Sequence, residues 1–64
     1  MAKKNIKVYV REQEMFSADN CDVCIKNACI VVHNGDPLFA YAMMPGEYAK
    51  FEHSADGVKV KVDA

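Results

Sequence analysis

The chain has 64 residues, 52% of them hydrophobic, with eight basic and nine acidic residues and a net charge of −1. That length allows a single domain, residues 1–64, near the lower limit for independent folding, since ordering each residue costs about 1.5 kcal/mol. The mixed charges lack the concentrated basic footprint of a nucleic-acid binder. No apolar run approaches the roughly 20 residues that a helix needs to cross a bilayer.

Ile6, Val8 and Val10 alternate with Lys7, Tyr9 and Arg11, the period of two that marks a half-buried strand. The alternation weakens through Glu12-Gln13-Glu14, and its parity slips at Met15-Phe16, which predicts a bulge or a strong bend. Ser17-Ala18-Asp19-Asn20 has turn chemistry, because these short polar side chains bond nearby backbone. A second strand follows over 21–33, and its half Ala28-Cys29-Ile30-Val31-Val32 is apolar on both faces, as expected of a doubly covered strand.

Asn34-Gly35-Asp36-Pro37 is the strongest turn signal, and Leu38 to Met44 is again apolar throughout. These two runs predict a central hairpin. After Pro45-Gly46, residues 47–53 alternate loosely, and the stretch 47–55 also admits one short helix. Ser54-Ala55-Asp56-Gly57 is a further turn. Val58-Lys59-Val60-Lys61-Val62-Asp63 alternates cleanly, with outward lysines suited to an edge strand. The expected fold is all-β: a small antiparallel meander of about five strands, either a small barrel or a half-sandwich.

No phosphate-binding glycine loop is present, and His33 and His53 have no carboxylate placed by sequence to orient them. No catalytic residue is assigned, and the expectation is a non-enzymatic protein without a cofactor. A chain this short cannot bury so much apolar surface alone. That predicts a homo-oligomer, or docking on a larger protein, in a regulatory or inhibitor-type role. The expected interface is the apolar hairpin, at Val31, Leu38, Phe39, Tyr41 and Met43.

Two other chemistries compete with this reading. Cys21, Cys24, Cys29 and His33 have the superficial spacing of a zinc knuckle. If residues 29–33 are extended, however, the ends of that segment lie about 13 Å apart, too far to share one ion readily. Packed thiols are the preferred reading. A hairpin at Lys26-Asn27 would instead set Cys24 opposite Cys29. Lys7, Tyr9 and Arg11, with Lys59 and Lys61, form the nearest approach to a nucleic-acid surface, with Tyr9 to stack a base; solvated strand faces explain them more simply. Three cysteines and a start, Met1-Ala2-Lys3-Lys4-Asn5, that leads directly into a strand pattern predict a cytoplasmic protein with reduced thiols.

Overall fold

The computed structural model describes residues 4–64 and contains strands but no helix among them. The strands are β1 (Lys4–Val10), β2 (Gln13–Lys26), β3 (Cys29–Asn34), β4 (Asp36–Ala42), β5 (Tyr48–His53) and β6 (Gly57–Asp63). They form one open sheet in the order β4-β3-β2-β1-β6-β5. All pairings are antiparallel except that of β1 with β6.

The all-β expectation is met, and the connectivity is the main correction. A pure meander would leave β6 at the edge beyond β5. Instead β6 lies between β5 and β1, with Ile6, Val8 and Val10 in parallel register with Val58, Val60 and Val62. These six residues are all buried, so the clean alternation of both segments reflects neighbouring strands that share one covered face. Gly57 permits the approach: it lies opposite Asn5, and a Cβ there would stand 2.0 Å from the Asn5 carbonyl oxygen. The stretch considered for a short helix contains β5 instead, with Ala49 and Phe51 turned to the core and paired with Val62 and Val60.

β2 is one 14-residue strand where a turn was expected at Ser17–Asn20. The register slips between Ala18 and Cys21, where Asn20 takes a left-handed φ of 57°. Asn tolerates that conformation far better than most residues, so the same side-chain chemistry produces a bulge here and not a reversal. A second slip leaves Met15 unpaired between Phe16 and Glu14, at the predicted parity change. Through these bulges the first part of β2 pairs with β1, and Asp22–Lys26 pair with β3.

The bend brings the β2–β3–β4 part of the sheet over the rest. One cluster results, in which Ile30, Val32 and Cys21 pack with the valines of β1 and β6. Phe16 on β2 stacks on Phe39 of β4, with ring centroids 4.9 Å apart. Burying one Val or Ile side chain contributes about 1.5–3 kcal/mol.

Two tight reversals lie where the sequence has little glycine. Arg11 and Glu12 have φ of 49° and 67°, and Asn27 and Ala28 have 52° and 60°. Both central residues at positive φ are the mark of a type I′ hairpin turn. The β2–β3 turn is therefore Asn27-Ala28, one residue later than Lys26-Asn27.

Candidate functional site

The β3–β4 hairpin forms as expected, but β4 is a sheet edge, so the hairpin is peripheral. Its residues divide by strand parity. Phe39, Tyr41 and Met43 are half-buried and pack against the core. Val31 belongs to the opposite face, in a row with Cys24 and Ala40, and the neighbouring row is Lys26, Cys29 and Ala42. Leu38, 51% exposed, is the unpaired residue of the β4 bulge, between Phe39 opposite Val32 and Pro37 opposite His33. The expected interface set is thus split between two faces. The outer surface of this part of the sheet carries Cys24, Cys29, Val31, Leu38, Ala40 and Ala42, with Met44 (63% exposed) just past the end of β4.

Backbone pairing adds a second property to β4. Met43 donates its N–H to the Ala28 carbonyl. Hydrogen-bonded and non-bonded pairs alternate along an antiparallel ladder. Ile30–Tyr41 and Val32–Phe39 are therefore the bonded pairs, and Ala40 and Ala42, opposite Val31 and Cys29, direct their N–H and C=O groups away from β3.

The Lys7, Tyr9 and Arg11 set is also divided. Lys7 registers with Lys59 and Tyr9 with Lys61, and Lys61 faces Lys50 on β5. These residues share the outer face of the β1–β6–β5 part of the sheet, with the Lys59 ammonium 5.5 Å from the Tyr9 ring centre. Tyr9, Glu12, Lys59, Lys61 and Asp63 line an open depression of about 430 Å³. The face is mixed in charge: Lys61 pairs with Glu52 at 3.4 Å, and the Tyr9 hydroxyl donates to Glu14. Arg11 lies in the β1–β2 turn and reaches elsewhere.

Its partner is Glu47, a residue that the alternation over 47–53 does not single out. The Glu47 side chain is 2% exposed. Its carboxylate accepts from the Tyr41 hydroxyl at 3.0 Å, from the Met44 N–H at 2.8 Å and from the Arg11 guanidinium. The Met44 N–H, then the Tyr41 hydroxyl and Arg11, hold the carboxyl below its ordinary value against an opposing desolvation. The bond to that carboxylate raises the Tyr41 hydroxyl above its usual value. This group ties the β4–β5 loop to the β1–β2 turn and fixes the end of β4.

Cys21 points into the core, and its thiol donates to the Asp19 carbonyl. Cys24, Cys29 and His33 belong to the other face. The four candidate zinc ligands thus divide between two faces, and no group of three or more His, Cys, Asp or Glu is gathered among the described residues. All three cysteines are free. Cys24 faces Val31 and Cys29 faces Lys26, so the two thiols are diagonal neighbours, typically 7–8 Å apart and outside disulfide geometry. No described helix is long and apolar enough to cross a membrane. No family model, curated protein or solved structure matches this chain.

Proposed function

We propose that this is a non-enzymatic interaction protein that works as a homo-oligomer, associating through the outer surface of its β3–β4 hairpin. The observation that carries the reading is the outer apolar surface formed by half-buried Val31 and exposed Leu38, Ala40 and Ala42, with Met44 beside it. Contiguous exposed apolar surface marks contact sites, and domains of this size gain from subunit association. A regulatory or inhibitor-type role fits a small module whose surface chemistry is mostly contact. Three free thiols suit a reducing compartment such as the cytoplasm.

Sedimentation equilibrium across the micromolar range tests the proposal. The expected result is a mass that rises with concentration to a defined multiple of one chain. A single-chain mass throughout would remove the reading.

A second reading is favoured by a separate observation. Lys7–Lys59 and Lys50–Lys61 are cross-strand neighbours of like charge, an arrangement that costs stability, and both flank Tyr9. A phosphate backbone laid across this face would relieve that repulsion while a base stacked on Tyr9. Titration with a single-stranded oligonucleotide at low salt is the test. Binding there that weakens steeply with added salt supports the reading, and no binding at low salt ends it.

A further inference from the structure

We propose that β4 pairs with β4 of a second copy of this chain, antiparallel, about a two-fold axis at Tyr41. The inference rests on the self-association reading but places the contact at the open edge of β4, beside the outer surface of the hairpin and not on it.

Four features converge on this register. Ala40 and Ala42 direct their backbone groups to the open edge. With the axis at Tyr41, Ala40 of one copy lies opposite Ala42 of the other, and each such pair exchanges both N–H···O=C bonds. The outward groups of Ala40 and Ala42 thus satisfy one another.

The same register places Leu38 opposite Met44 of the second copy. These are among the large hydrophobic side chains most exposed on the protein, at 51% and 63%, and in the pair each covers the other. The ladder also has natural ends. Pro37 has no N–H to offer, and the Met44 N–H and C=O are already engaged by Glu47.

The register is self-complementary, and charge does not oppose a second copy at this edge. A two-fold axis sets each side chain against its own kind or its register mate, so charged edges repel themselves. From Pro37 to Gly46 the chain carries no charged residue. The other edge, β5, carries Lys50 and Glu52, the charged pattern that blunts edge pairing.

Two measurements test this together. Backbone amide exchange on the native chain reads the edge directly: Ala40 and Ala42 should be protected at concentrations where the dimer forms and lose that protection on dilution. Ala40→Pro removes an N–H that faces the edge, without removing a bond to β3, a placement that edge strands accept. Its expected effect is a fall in sedimenting mass from two chains to one, with the circular dichroism of the native protein retained. A native dimer whose Ala40 and Ala42 amides exchange freely overturns the β4 pairing but leaves self-association standing. A dimer that survives Ala40→Pro does the same. A chain that is monomeric at every concentration overturns both. Because the exchange measurement uses the native protein, an unfolded Ala40→Pro variant leaves the decision intact.

Discussion

Arg11, in the turn between β1 and β2, forms an ion pair with Glu47, 36 residues later in the loop between β4 and β5. The pair joins the two parts of the folded sheet at one end, and Tyr41 and the Met44 N–H complete the ring of donors around the carboxylate. This group holds the β4–β5 loop at the end of β4, while the ladder with β3 holds β4 itself.

The Glu47 carboxyl is held below its ordinary value of 4.5, chiefly by the Met44 N–H. Its contribution to stability is therefore full above about pH 4.5 and is lost as pH falls through the lower, folded-state value. Glu47→Gln should lower the urea midpoint at neutral pH, and the gap from the native chain should close on acidification. Tyr41 is shifted the other way, above 10.0, so its contribution is full below that pH and is lost as pH rises through the folded value. Tyrosinate absorbance should show one of the three tyrosines titrating late, and Tyr41→Phe should abolish that late step. A Glu47→Gln gap that persists unchanged into acid would assign the residue a role in shape alone.

Gly57→Ala should loosen the parallel β1–β6 junction. The new Cβ would meet the Asn5 backbone, which can yield only by moving β1. Overpacking of this kind costs about 1–3 kcal/mol or more. Denaturant unfolding gives the magnitude, and amide exchange should show the loss concentrated at Asn5 to Lys7. An unchanged midpoint would rule out so close an approach of the two strands at Gly57.

Ala28→Gly should stabilise the protein. Ala28 occupies the second position of a type I′ turn at φ 60°, and a left-handed conformation costs a residue with a Cβ about 1–2 kcal/mol. Glycine removes that strain but adds unfolded-state entropy, so a net gain of about 1 kcal/mol is expected in a thermal or urea melt. Arg11→Gly should gain less, because the same change at the other type I′ turn also removes the bond to Glu47.

Ile30→Ala should be far more damaging than Val31→Ala. Ile30 is fully buried, whereas Val31 belongs to the outer row with Cys24 and Ala40. Truncating a core Ile costs about 2–5 kcal/mol, a large part of the stability of a domain this small. Urea melts measure the first effect. Val31→Ala should instead show itself in the concentration dependence of the sedimenting mass.

Strand class, the Asn34-Gly35 hairpin, the slip at Met15 and the covered valine face were legible from residue order, because each depends on side-chain period or on local turn chemistry. The Arg11-Glu12 turn was not, since neither residue is a usual type I′ former and the bond from the Arg11 N–H to Val62 comes from the far end of the chain. The candidate interface was legible only in part. Apolar runs on both faces identified the hairpin, but only the register with β2 separated inward Phe39 and Tyr41 from outward Val31 and Ala40.

The all-β class and the apolar hairpin are thus properties of the sequence alone, written in alternation and in the turns. Tertiary structure decided that β6 inserts beside β1, that β4 is left as an edge, and that Glu47 is buried among Tyr41, Met44 and Arg11. Each depends on contacts between residues distant in the chain. A period of two states that a strand has a covered face, but it does not state which strand covers it.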